Sequence, residues 1–319
     1  MAGERPPEGR PLSLRARLAV LGYLLFTWPV MTAFLAGPLA VLVAVGRPHG
    51  RRAWLWLVTL VLWLALWAAQ PGTLLEEMVR AAAVVSSGMG VLFLLLGRGS
   101  ASARALQGTF AAVAGTVLLA VVKGVHWSDL EFAVVQQGLA AQRAVADLLN
   151  QGGASPSPET TAALQALGEG IRPMAPFFPG VLALLVLVGL CLAALLAPRI
   201  TGRAAAPVPG SFEGFRFSDH LVWLVVLGLL GVLFAAATPA YGPAASLLAF
   251  GGGLYLLRGL AVLAAALRPA PRIFVVLLAG SAFFLLPFAV GGLALLGLAD
   301  NWLDFRRRIP PPSLGGSNP

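Results

Sequence analysis

The sequence is poor in the residues from which most soluble functions are built. A single cysteine, Cys191, stands in 319 residues, which excludes a disulfide framework and a cysteine-rich zinc site. Lysine is as scarce, with Lys123 alone against 21 arginines. The three histidines, His49, His126 and His220, lie far apart and outside any H-E-x-x-H pattern. No G-x-x-x-x-G-K-[ST] loop is present, so the chain has no ATPase with which to energise transport itself. Nor do paired carboxylates sit inside an apolar run, which weighs against a proton relay or an ion-coupled carrier. The nearest acidic pairs, Glu76 with Glu77 and Asp300 with Asp304, are too isolated for metal-assisted phosphate chemistry. The expectation is a protein that is not an enzyme and uses no metal or cofactor.

Charge is the other scarcity. Charged residues make up 11% of the chain, against about 25% in ordinary soluble domains. What fills their place is apolar: 58% of the residues are hydrophobic. A membrane helix needs about 20 mostly apolar residues, because the hydrocarbon core cannot hydrate a free backbone group. Eight runs qualify, approximately 18–45, 53–69, 81–97, 105–122, 174–197, 221–237, 243–267 and 273–299. The first contains Pro29, Gly37 and Pro38, the last Pro287, Gly291 and Gly292, so each is either one kinked helix or two short ones. The expected fold class is an all-α polytopic transmembrane helix bundle of about eight to ten helices. A basic tail over 1–17 precedes a single bundle domain over 18–305, and a basic, then Pro/Gly-rich tail occupies 306–319.

The net charge of +9 would suggest nucleic acid in a soluble protein. In a membrane protein it records topology, because Lys- and Arg-rich loops stay in the cytoplasm, and no nucleic-acid partner is expected. With Arg47, Arg51 and Arg52 inside, alternation also places Arg98, Arg104, Arg199, Arg203, Arg216, Arg268 and Arg272 inside. The outer side then receives Arg80, Arg143 and Arg172, together with seven acids, Glu76, Glu77, Asp129, Glu131, Asp147, Glu159 and Glu169. The basic N-terminal tail fits if the first run turns back near Gly37-Pro38. That run exceeds a signal-peptide core and lacks an A-x-A site, so it reads as an uncleaved span.

One long polar excursion, 125–173, falls outside the cytoplasm in this topology. Leu130, Val134, Gly138, Ala141, Val145 and Leu148 recur at helical spacing, predicting an amphipathic helix over 129–150. After the breaker 152–158, Ser157 as N-cap with Pro158 in the first turn predicts a second helix, striped by Leu164, Leu167 and Ile171. Such a small extracytoplasmic hairpin is either a lid over the bundle or an element lying on the membrane surface.

Ionisable residues inside a span are costly, and they are functional candidates by default. Arg258 lies well inside the seventh run, with Tyr255 one turn away and three glycines, Gly251 to Gly253, just before it. These two residues suggest an anionic or hydrogen-bonding ligand site, against the plainer reading of an arginine that snorkels to the interface. Lys123 and His126, with Asp129, cluster at the end of the fourth run as a second candidate solute contact. Ser218 or Asp219 reads as a helix N-cap, and Ser86-Ser87-Gly88-x-Gly90 as a site of close helix packing.

Three strings in the C-terminal third carry a resemblance. Leu221-Val222-Trp223 opens a span, Leu254 to Val262 reads Leu-Tyr-Leu-Leu-Arg-Gly-Leu-Ala-Val, and Gly297 to Arg308 contains a D-x-W-x-D-F-R-R-R-like ending. With the broken first run and the amphipathic excursion, they resemble the YybS-like family of bacterial membrane proteins. That family looks distantly similar to the substrate-capturing membrane components of energy-coupling-factor transporters. The resemblance implies a multi-pass protein of the bacterial inner membrane that binds a small solute from the lipid bilayer's outer side and works with separate ATPase and coupling subunits. The alternative is a structural or regulatory membrane protein that docks partners through its arginine loops and residues 300–308. A cysteine engineered at Gly153 is expected to react with an impermeant reagent in intact cells; reaction from the cytoplasmic side alone inverts the topology.

Overall fold

The computed structural model describes residues 33–45, 69–151, 157–202, 204–210, 212, 215–236, 238–268 and 270–305, with Val58, Val61, Leu62, Ala65 and Leu66. Regular structure among them is helical throughout. The chain divides into two compact units, residues 1–209 and 210–319, and each is considered by itself.

In the first unit, α1 (Ala33–Val45) contains Pro38 in its interior. The reversal expected near Gly37-Pro38 is therefore not present, because the helix runs straight through both residues. Proline has no N–H, so its presence in a helix leaves the carbonyl four residues earlier, that of Phe34, without its usual donor. Gly189 closes over that carbonyl: a Cβ there would collide with the Phe34 oxygen. Close backbone packing by a neighbouring helix thus covers what the proline exposes. The rest of the first apolar run and most of the second lie outside the described residues.

The span at 74–96 is built in three pieces, α2 (Leu74–Val85), a π-helical turn (Ser86–Gly90) and α3 (Val91–Leu96). Thr73 and Glu76 form a capping box at its start, which satisfies backbone donors that the helix itself leaves free. Within the π turn the regular ladder is interrupted, and the Ser86 and Ser87 hydroxyls both donate to the Ala83 carbonyl, at 2.8 and 2.7 Å. The patch is a packing seam, as its small residues suggest. Gly37 of α1 lies against the Ser87 hydroxyl, and Gly108 of α4 (Ala101–Val122) lies against the Gly90 backbone.

The polar excursion forms α5 (Trp127–Gln151) and α6 (Pro158–Met174), close to the expected bounds. Ser157 caps α6 by accepting the Thr160 N–H, at 3.2 Å. The two helices meet where Ile171 covers Gly138 and Gln142 donates to the Leu164 carbonyl at 2.6 Å. The predicted apolar stripe on α5 is only half used. Val145 and Leu148 remain exposed, as does Leu167 on α6, because none of the described residues of this unit covers the far end of the hairpin. A single 3-10 turn joins α6 to α7 (Phe178–Thr201), which ends at Gly202 in the left-handed region, φ 74°.

In the second unit a 3-10 turn (Asp219–Leu221) opens α8 (Val222–Phe234), followed by α9 (Tyr241–Ala266). These two run antiparallel, since Gly231 meets Ala244, Gly228 meets Leu248 and Gly251 meets Val225. The last apolar run breaks at Leu285, just before Pro287, into α10 (Arg272–Phe284) and α11 (Leu286–Leu303). The α9–α11 crossing is the tightest in the unit: a Cβ on Gly259 would strike the Leu293 carbonyl, and one on Gly297 the Tyr255 carbonyl. Small residues at a crossing let two backbones approach closely, the main source of helix association where lipid removes the hydrophobic drive.

Among the described residues, five helical segments, 74–96, 101–122, 158–201, 241–266 and 286–303, are long and apolar enough to cross a membrane. Leu118, Val122, Phe234, Phe284 and Phe288 are all more than 60% exposed, a surface suited to hydrocarbon and unsuited to water. The fold is an all-α multi-pass membrane protein. Gly297→Leu is expected to destabilise it by about 1–3 kcal/mol, the usual cost of overpacking. Gly291→Leu, at a position with open space around it, serves as the control in thermal unfolding of the detergent-solubilised protein.

Candidate functional site

The second unit gathers its charged side chains around Arg258, which projects from α9 and is 4% exposed. Its Nε donates to Asp300 Oδ2 at 2.9 Å and its Nη2 to the Asp300 carbonyl at 3.1 Å. Its Nη1 donates to Asn301 Oδ1 at 2.6 Å and to Asp219 Oδ1 at 3.3 Å. The guanidinium also lies 5.5 Å from the centre of the Phe217 ring, a cation–π distance. Phe217 in turn meets Tyr255 edge-on, with centroids 5.2 Å apart.

Asp300 is wholly buried, and its second oxygen accepts the Phe305 N–H at 3.1 Å. A buried ion pair holds together only if the remaining lone pairs and protons are also satisfied. Here they are, so Arg258 is neither lipid-facing nor snorkelled. It is a cross-brace joining α9, the end of α11 and the start of α8. Arg216 and Asp304 pair at the periphery of the same cluster. Tyr255 is buried beside it, and among the described residues its hydroxyl has no hydrogen-bond partner.

Two sequence expectations change here. Asp219 does not act as a side-chain cap, and neither does Ser218; the Asp219 carboxylate turns to Arg258 instead. Asp300, set aside as too isolated in sequence, is the principal counter-charge, 42 residues from Arg258. A signal was present: the strings around Leu221, Arg258 and Asp300 are the ones that carry the family resemblance, and all three converge on this cluster.

Lys123 and His126 belong to the first unit. Lys123 is the C-cap residue of α4, and its Nζ pairs with Glu77 Oε2 at 3.3 Å, both side chains being half-exposed. His126 donates its backbone N–H to Asp129 Oδ2 at 2.8 Å and is highly exposed. The structure thus ties Lys123 to the start of α2 and leaves His126 in the local turn that begins α5.

Beneath α5 lies a cavity of about 100 Å³, bounded by α2, α4, α5 and α7, with Leu75, Val79, Ala112, Trp127, Leu130 and Ala183 among its walls. It contains neither Tyr255 nor Arg258, and its lining is apolar. Its few polar wall atoms are already engaged. Thr116 donates to the Ala112 carbonyl at 2.8 Å, and the Trp127 indole N–H donates to Glu131 at 2.8 Å. The base of the excursion covers this cavity, whereas its far end does not.

The chain belongs to the family described as Predicted membrane protein (DUF2232), whose model matches residues 16–301. No curated protein and no solved structure matches the chain. Membership agrees with the multi-pass architecture above.

The brace makes a test of opposite signs. Asp300→Leu alone leaves Arg258 buried without its main counter-charge and is expected to cost about 3–5 kcal/mol. Adding Arg258→Met should recover most of that loss in the same unfolding measurement. Equal losses for the single and double variants would show that the pair contributes little.

Proposed function

We propose that this membrane protein is a non-enzymatic component that binds a small, largely apolar molecule in the cavity beneath α5. The observation that supports this reading is the cavity itself. Four helices leave an apolar space at the base of the excursion, and among the described residues no free side-chain hydrogen-bonding group lines it. A pocket of that kind selects by shape and desolvation and offers no group to perform chemistry. On the analogy with energy-coupling-factor components, separate ATPase and coupling subunits would supply the energy, in the cytoplasmic membrane of a bacterium. A second reading, a structural or regulatory protein that docks partners, draws on the fully satisfied Arg258 brace.

The test is a mass-spectrometric comparison of small molecules retained by the purified full-length chain. Ala183→Phe and Ala112→Phe place a ring in the cavity and should abolish retention of an apolar species that the unaltered protein and Gly291→Ala both carry. Retention of the same species by the filled variants, or none by the unaltered protein, overturns the reading.

A further inference from the structure

Arg258 is the arginine that the sequence singles out, yet every side of it is occupied. The opposite holds for Arg80 on α2. Its side chain is 5% exposed, and its Nε and Nη2 are buried without a hydrogen-bond partner among the described residues. No ion pair within 4 Å involves it among those residues either. Arg80 lies two turns into a helix that belongs to a candidate span, 74–96. A buried guanidinium cannot shed its proton, so its charge must be compensated by something else.

The two free nitrogens are informative in themselves. Nε and Nη2 form the side edge of the guanidinium, the edge that presents two parallel N–H groups to a carboxylate or phosphate. In Arg258 that same edge is filled by the Asp300 carboxylate and carbonyl. In Arg80 no described residue fills it. The guanidinium lies against Gly72, where a Cβ would collide with both Arg80 Nη2 and Glu76 Oε2 and stand 3.3 Å from Cζ. Glu77, the nearest carboxylate in sequence, pairs with Lys123 at 3.3 Å, and Glu76 is committed to the capping box, where its Oε2 accepts the Thr73 N–H at 3.0 Å.

We propose that Arg80 is an oxyanion-binding residue, whose side edge takes a phosphate or carboxylate group next to the Gly72 turn. The site is independent of the apolar cavity. Leu75, Met78, Val79 and Ala82 line the cavity from one face of α2, and the helical period puts Arg80 on the other. The oxyanion belongs either to a lipid headgroup or to a free ion.

The experiment uses the full-length chain in a maltoside detergent, stripped of lipid and of phosphate, with thermal unfolding as the readout. Inorganic phosphate or acetate in one arm, and micelles containing phosphatidylglycerol in the other, should raise the midpoint of the unaltered protein by mass action. A response to the free ions identifies a soluble source, and a response to phosphatidylglycerol alone identifies a headgroup. Arg80→Met should weaken either response about tenfold or more. Without any anion, the same variant should melt above the unaltered protein, since it removes a buried charge that no described residue pairs with. Arg80→Lys, which keeps the charge but loses the fork, should respond weakly. Three results overturn the proposal: no response in either arm, an undiminished response from Arg80→Met, or a lower anion-free midpoint for both Arg80→Met and Glu76→Gln. The last would make Glu76 the structural partner of Arg80.

Discussion

A polar group enclosed by hydrocarbon has no water to turn to, and the described structure is organised by where each such group finds its substitute. The substitutes come from three sources. The Ala83 carbonyl, next to the π turn, receives two serine hydroxyls. The carbonyl freed by Pro38 is covered by the Cα of Gly189. The Arg258 guanidinium is enclosed by two carboxylates, an amide and an aromatic ring. The same requirement explains why small residues recur at the crossings. Where lipid competes equally for apolar side chains, affinity between helices comes from backbone approach and polar contact.

The two buried arginines show how the same side chain leads to different roles. In the second unit the guanidinium is an internal fastening, because α11 brings a carboxylate to it and the α8 turn brings another. In the first unit, position 80 receives no such partner from the described helices. Burial alone therefore says little about an arginine's task. What distinguishes the two is whether the edge that binds oxyanions is filled by the protein itself.

The helices were largely legible because their signals are local. Apolar run length, the Ser157-Pro158 start of α6 and the small-residue patch at Ser86 each act over a few residues, and each appears where expected. The turn near Gly37-Pro38 was misjudged because proline breaks a helix only when the freed carbonyl stays uncovered, and the cover comes from Gly189, more than 150 residues away. The α5 stripe marked the helix, but periodicity reports an apolar face without saying what buries it. The Arg258 site was located correctly as a buried charge. Its partners were not, since Asp219 and Asp300 look like ordinary helix-end residues until folding brings them to α9. Arg80 was hidden for a simpler reason: it sits beside Glu76 and Glu77 at the start of a span, where charges are normally solvated.

The distance along the chain between Arg258 and Asp300 bears on how the second unit is made. During synthesis α9 emerges first, and its arginine must be accommodated while α10 and most of α11 are still to come. Asp219 precedes Arg258 and offers a temporary, solvent-exposed partner. The wholly buried carboxylate of Asp300 arrives only with the end of α11. The brace is then a checkpoint on completeness: a chain that stops short of residue 300 keeps α9 in the membrane with its charge only half answered.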